Sequence, residues 1–209
     1  MKTLKVIMIG LVVMLLGACA TTTKMTASWK SPEYQPKNYE KIAVISITKD
    51  LQAKKAYEYY MKRDLSEIGL NIVEGVTLFS PKYFSEKPTE KKIEKDLKSH
   101  GVDGVLTVSV LSVDKEQSYV PGAGVGFYPG YYRAPFYSYY YGMGRIYDPG
   151  YYTTTTKVFM ECNFYDLETE ELVWTAQSKV VDPSSIDDSA KSFVKALVRQ
   201  IQEDNVFGR

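Results

Sequence analysis

The stretch that decides the fold is VLTVSVLSV, Val105 to Val113. In an extended chain it puts Leu106, Val108 and Val110 on one side and Val105, Leu111 and Val113 on the other. A strand that is apolar on both sides has to be covered on both, so this one belongs at the centre of a sheet. Working outward toward the N-terminus, Asp103 in Gly-Val-Asp-Gly serves a helix-to-strand turn. Before it, Thr89 to His100 reads as a helix opened by Thr89 after Pro88 and closed by Gly101. Its apolar stripe is only Ile93 and Leu97, and it carries Glu90, Lys91, Lys92, Glu94, Lys95 and Asp96, the pattern of a peripheral helix with a solvated outer face.

Further back, KIAVISI (Lys41 to Ile47) is a second doubly apolar strand. From Asp50 the period changes: Ala53, Tyr57, Tyr60, Met61, Leu65 and Ile68 recur at helical spacing, and Gly69 stands where a left-handed cap would. Leu70 to Val73 then reads as a strand and Gly75 as a turn. On the C-terminal side, Lys157 to Asp166 and Glu171 to Val181 alternate at period two around Leu167-Glu168-Thr169-Glu170, an antiparallel hairpin. Val158, Met160, Cys162 and Phe164 share one face, as do Leu172, Trp174 and Ala176, and these faces are expected in the core. Ser185 can cap a last helix with Asp187 and Asp188 in its first turn and Ile186, Ala190, Phe193, Val194, Leu197 and Ile201 along its stripe. The expected fold class is α/β (α+β): a single mixed β-sheet of about five strands with an antiparallel hairpin, packed by three helices.

Composition bounds the function. The chain of 209 residues, 44% hydrophobic and 24% charged, has the size of one generous globular domain. Lys and Arg number 26 against 25 Asp and Glu, a net charge of +1 that offers no surplus to a nucleic-acid backbone. One histidine and two cysteines leave little material for a metal centre, and no GxxxxGK[ST], GxSxG or HExxH run is present. No catalytic residue, no metal and no cofactor is expected. His100 reads as a helix-end residue, Cys162 as a small core residue, and Glu170 and Glu171 as solvated turn carboxylates.

The beginning of the chain is an address. Lys2 and Lys5 precede eleven apolar residues, Val6 to Leu16, which as a helix cover about 16 Å, roughly half of a bilayer core. The run Leu16-Gly17-Ala18-Cys19 resembles the lipobox of bacterial lipoproteins. That resemblance implies cleavage before Cys19, lipid attachment to its sulfur and, because Ala20 follows, sorting to the outer membrane. Residues 1–18 are then the signal peptide, and 19–37 are anchor and tether, the polar stretch ATTTKMTAS (Ala20 to Ser28) reading as unpatterned. Trp29, Tyr34 and Tyr39 are expected to clamp that tether to a single α/β domain over residues 38–205. With Cys19 lipidated, Cys162 has no intramolecular partner for a disulfide.

KIAVISI, GVDGVLTVSV (Gly101 to Val110), CNFYDLETEELVW (Cys162 to Trp174) and the terminal amphipathic helix resemble the compact α/β lipoprotein domain of the curli-secretion CsgG type and of the penicillin-binding-protein activator LpoB. TASWKSPEY (Thr26 to Tyr34) and the Tyr/Gly-rich insert look closer to small bacterial lipoprotein families catalogued as domains of unknown function. In the CsgG-like pattern the hairpin turns through a Thr-Gly pair, whereas here Glu170 follows Thr169.

The insert, residues 119–152, holds 11 Tyr, 7 Gly and 4 Pro among 34 residues, a low-complexity composition that argues against regular strands. It reads either as an irregular surface loop or as an aromatic contact surface in which Tyr131, Tyr132, Tyr137, Tyr139, Tyr140 and Tyr141 offer flat rings and hydroxyls. It lacks the in/out alternation of a membrane-spanning hairpin. The function expected is that of a non-catalytic, lipid-anchored envelope protein on the periplasmic face of the outer membrane, an assembly, adaptor or binding module. Its partners would be the membrane through the anchor, and envelope proteins or peptidoglycan, with no nucleic acid. The alternatives are an oligomeric secretion or transport component of the CsgG type and an enzyme acting on cell-wall glycan. Oligomeric state is not legible in the sequence.

Overall fold

The computed structural model describes residues 22–80, 83–86, 88–120 and 151–208. Its elements are β1 (Thr22–Lys30), β2 (Ile42–Ile47), α1 (Leu51–Glu67), β3 (Ile72–Glu74), α2 (Gly75–Leu78), a 3-10 turn (Tyr83–Glu86), α3 (Glu90–Ser99), β4 (Gly104–Val120), β5 (Tyr151–Asp166), β6 (Leu172–Val181) and α4 (Ile186–Glu203). The six strands form one sheet in the order β1-β6-β5-β4-β2-β3. β2 runs parallel to both β3 and β4, in register from Ile42↔Gly104 to Ile47↔Ser109, while β5 and β1 flank β6 antiparallel. The sheet is therefore mixed, as expected. The described residues divide into two units, a larger one drawn from 22–113 and 157–208 and a smaller one of 114–120 and 151–156; β4 and β5 each pass from one to the other.

The helices start and stop where the sequence says they should. Asp50 accepts from the N–H groups of Gln52 and Ala53 at the head of α1, Thr89 from Lys92 N–H at α3, and Ser185 from Asp188 N–H at α4. Gly69 (φ 85°) and Gly101 (φ 72°) hold the left-handed positions after α1 and α3. Within the larger unit α1 and α4 lie against one sheet face, where Trp174, Phe164, Phe193, Met160, Cys162, Leu106, Met61 and Leu197 are almost wholly buried. Each full burial of a side chain of Leu or Phe size stabilises by roughly 1.5–3 kcal/mol before chain entropy is subtracted. The opposite face carries a smaller cluster of Ala43, Ile45, Phe79, Leu97, Val102 and Val105 under α3.

Several expectations need correction. Among the described residues there are six strands and four α-helices rather than about five and three, the added strand being β1 and the added helix α2, which begins at Gly75 where a turn was expected. The stretch read as tether is in part an edge strand: Thr22 to Lys30 pairs with β6 from Thr22↔Val181 to Lys30↔Trp174. Residues 22–30, ahead of residue 38, thus already belong to the sheet. Polar residues suit this strand because α4 supplies their partners, Ser192 Oγ for Thr23 Oγ1 at 2.8 Å and the carbonyl of Asp204 for Lys30 Nζ at 2.5 Å, while Met25 packs on the core. β4 is central over its first half only. Beyond Ser109 it has outrun β2, and Val110, Leu111 and Val113 are exposed rather than covered. Of the insert, residues 119, 120, 151 and 152 belong to the strands β4 and β5, and 121–150 lie outside the described residues.

Candidate functional site

The sparse stripe of α3 has a geometric consequence. With only Ile93 and Leu97 to offer, the helix covers the β2–β4 face incompletely, and a groove of ≈ 1020 Å³ remains beside it. Its walls are Ile45 and Ile47 of β2, Val105 and Thr107 of β4, Tyr165 and Leu167 at the end of β5, Leu51 of α1, and Ile93 and Leu97. Lys49, Lys54 and Glu170 stand at its margin, with Ser46 and Thr48.

Three contacts fix this shape. Tyr83 stacks on Phe79 with centroids 4.4 Å apart and donates to Asp96 Oδ2 at 2.6 Å, which pins α3 to the segment after α2. Burial and that carboxylate push the Tyr83 hydroxyl up to about 12. Behind β2, the fully buried Glu58 of α1 accepts from Ser46 N–H at 2.9 Å and from Val76 N–H at 2.7 Å, tying α1, β2 and α2 at one point. Burial raises its carboxyl above the ordinary range, against the two N–H groups and Lys54, which lower it. Gly75 makes room for this arrangement: a Cβ there would stand 3.1 Å from Val44 O and 3.3 Å from Glu58 Oε1. Finally, Leu167 N–H donates to Asp103 O at 3.0 Å, which holds the hairpin turn over one end of the groove.

A second polar cluster latches that turn. The buried carboxylate of Asp166 meets Lys37 Nζ at 2.7 Å, accepts from Tyr39 OH at 3.1 Å and from Glu168 N–H at 2.8 Å, and Tyr34 OH donates to Val206 O at 3.1 Å. Burial alone would raise its carboxyl; Lys37, the Glu168 N–H and the Tyr39 hydroxyl outweigh burial and hold it below the usual range.

Cys19, Tyr131, Tyr132, Tyr137, Tyr139, Tyr140 and Tyr141 lie outside the described residues. Tyr34 and Tyr39 do clamp the segment before β2, whereas Trp29 is 47% exposed. Cys162 is buried, and burial pushes its thiol up. His100 is exposed at the end of α3, Nδ1 2.7 Å from Asp96 O, and the side chains of Glu170 and Glu171 are solvated. Asp103 serves β2 more than its own turn, accepting from Glu40 and Lys41 N–H. Sequence reasoning missed Glu58, Asp166, Lys37 and the groove itself. The one available signal was Asp166 immediately before a turn, where an Asp side chain bonds its own backbone two residues on.

Among the described residues the groove's lining contains no His or Cys, and its hydroxyls are Ser46, Thr48, Thr107 and Tyr165. Among the described residues no group of three or more His, Cys, Asp or Glu could hold a metal ion, and no helix is long and apolar enough to cross a membrane. The arrangement suits reversible binding of an apolar or amphipathic group with a cation near its mouth.

No family model matches this chain, and no curated protein does. Among solved structures it is similar to the PelC dodecamer from Paraburkholderia phytofirmans, at 15% identity over 85% of this chain and 94% of that one, with a TM-score of 0.43. It is also similar to lipoprotein GNA1162 from Neisseria meningitidis, at 15% identity over 78% of this chain and 98% of that one, TM-score 0.42. A PDZ domain protein from Parabacteroides distasonis matches at 9% identity over 90% of this chain and 38% of that one, TM-score 0.43.

Proposed function

We propose that this protein is a non-catalytic, lipid-anchored module of the bacterial envelope, attached through Cys19 to the periplasmic face of the outer membrane, and that it binds or assembles a partner through the groove beside α3. The observation that carries the binding reading is the ≈ 1020 Å³ groove, walled by Ile45, Ile93, Leu97 and Val105 and left open because α3 is too narrow to close it. The anchor reading rests on the Leu16-Gly17-Ala18-Cys19 run behind a charged and apolar leader. Tyr131, Tyr132, Tyr137, Tyr139, Tyr140 and Tyr141 are proposed as a second contact element.

Two experiments test the two halves. Cys19→Ala should abolish incorporation of labelled palmitate, and a variant that still takes up label refutes the anchor. A photo-reactive amino acid at Thr107, used in native membranes, should capture one partner reproducibly, and Ile47→Trp, which fills the groove from an exposed wall position, should remove that product while the thermal midpoint stays close to wild type. Capture that survives the filled groove refutes the binding site, and hydrolysis of isolated sacculi by the purified protein refutes the absence of catalysis.

A further inference from the structure

We propose that the groove beside α3 takes a single long-chain carboxylate, with the alkyl chain lying along Ile45 and Leu97 and the anionic head at Lys49. The proposal rests on the reading of this groove as a binding site and names its occupant.

The strand registers give the groove two unlike ends. Along its floor Ala43 pairs with Val105, Ile45 with Thr107 and Ile47 with Ser109, after which β2 stops and the chain passes through Thr48 and Lys49 to α1. At the Val105 end Leu97 closes α3, its carbonyl accepting from Val102 N–H, and Leu167 is held by its bond to Asp103 O. Ile93 stands one helical turn from Leu97, on the way to the β2 terminus. From Ala43 to Ile47 the floor runs about 13 Å. One acyl chain spans about 15 Å, half of a ~30 Å hydrocarbon core, so a chain seated on this floor leaves its head where β2 ends.

The charges are sorted to the same two ends. Lys49 and Lys54 stand where β2 stops, and Lys49 is exposed. The acids beside them are turned to the protein's own bonds: Asp50 to the N–H groups of Gln52 and Ala53, and Glu58, which shares Lys54, to those of Ser46 and Val76. Glu170 lies at the far end, where it faces Lys98. A head left at the β2 terminus therefore meets cations, which favour a negative group over a neutral one. Ile47 at 61% exposure and Leu51 at 44% flank Lys49, apolar surface that the first methylenes of a chain would cover. Hydrogen bonding argues against an added peptide strand, which needs an open edge. β2 is paired with β4 through Ile47 and with β3 through Val44, and its next N–H, that of Ser46, is taken by Glu58 Oε1. Thr107 Oγ1 already donates to Asn163 O. The floor thus offers side chains and no backbone, which suits an alkyl chain, since such a chain brings no polar group to satisfy.

The test adds palmitic acid carrying a photo-reactive diazirine near its methyl end to the full lipidated protein in phosphatidylcholine nanodiscs, and locates the adducts by peptide mass spectrometry after irradiation. Adducts are expected on the segment that holds Ile93 and Leu97, saturable and competed by unmodified palmitate. A probe with the diazirine next to its carboxyl should label residues 47–51 instead. Lys49→Glu should weaken binding of the acid about fivefold to tenfold, and on the unsubstituted protein the alcohol of the same chain length should compete less well by a similar factor. Equal competition by the alcohol, or adducts that stay in one place with both probes, overturns the proposal. Loss of labelling in discs that contain phosphatidylglycerol means that a two-chain lipid fills the groove, and it overturns the proposal as well. The underlying reading fails separately. If the photo-reactive residue at Thr107 captures a protein while palmitate leaves no saturable adduct, the groove stands and the named occupant falls; if neither leaves a product, the groove falls as a binding site.

Discussion

The two faces of the larger unit's sheet are built from the same kinds of strand yet treated unequally. Under α1 and α4 the side chains of Trp174, Phe164, Phe193 and Leu106 reach zero exposure. Under α3 the cover stops at Ile93 and Leu97, and Ile47, Thr107 and Tyr165 line open space. The difference follows from the helices: α4 presents a continuous stripe from Ala190 to Ile201, and α3 presents two residues. One face holds the larger core, and on the other only the exposed positions beside the small cluster under α3 can be altered at little cost to the fold.

The first way to break this comparison is Trp174→Ala. The ring is fully buried and its Nε1–H donates to Asp204 Oδ2 at 2.8 Å, so truncation should cost about 3–5 kcal/mol and leave a polar group unpaired. A urea midpoint unchanged from wild type would reverse the assignment of the two faces. Next is Asp166→Asn, which removes the charge opposite Lys37; because that lysine is itself 37% exposed, the loss should be only about 1–2 kcal/mol. The pH signature sharpens the test. The Asp166 carboxyl is held below its usual range, so its contribution is complete above the unfolded-state value near ~3.9 and disappears as pH falls through the lower folded value. Wild type should therefore lose stability in acid along a limb that Asp166→Asn lacks. Glu58 works in the opposite sense: its carboxyl is raised, so its ionisation costs stability as pH rises from the unfolded value through the folded one.

A smaller effect, and of opposite sign, is expected at the rim of the groove. Glu170 sits at φ 61°, a left-handed conformation that glycine adopts freely, and Glu170→Gly should stabilise by about 0.5–1 kcal/mol, read as a higher thermal midpoint. The smallest belongs to the open face itself. Ile47→Ser should shift the urea midpoint by less than about 0.5 kcal/mol in equivalent stability, and a loss the size of that for Trp174→Ala would mean that Ile47 is covered by the protein.

The sequence revealed those parts of the fold in which local signals agree. Asp50, Thr89, Ser185, Gly69 and Gly101 marked helix ends by chemistry that acts within a few residues, and the alternation of Val158 to Phe164 fixed an inward face. β1 was hidden because its stability comes from partners more than 140 residues away, and polar composition says nothing about a distant Ser192 or Asp204. Glu58 was hidden for a related reason. A charged residue on an amphipathic helix reads as solvated, and only the approach of Ser46 and Val76 N–H makes its burial tolerable. The groove is the hardest feature to foresee, since it is the space left when one short stripe meets a wider sheet.

The threading of residues 22–30 into the sheet edge also has a mechanical side. A load applied to the chain ahead of Thr22 runs along the axis of β1, while the hydrogen bonds joining β1 to β6 lie across it. The ladder from Thr22↔Val181 to Lys30↔Trp174 is then strained as a group, in shear, and the Lys30 contact with the end of α4 adds a stop at the far end. A nine-residue loose leader would have transmitted the same pull to the first bond it met. Drawn by its N-terminal side, this domain should resist extension until the whole strand slips at once.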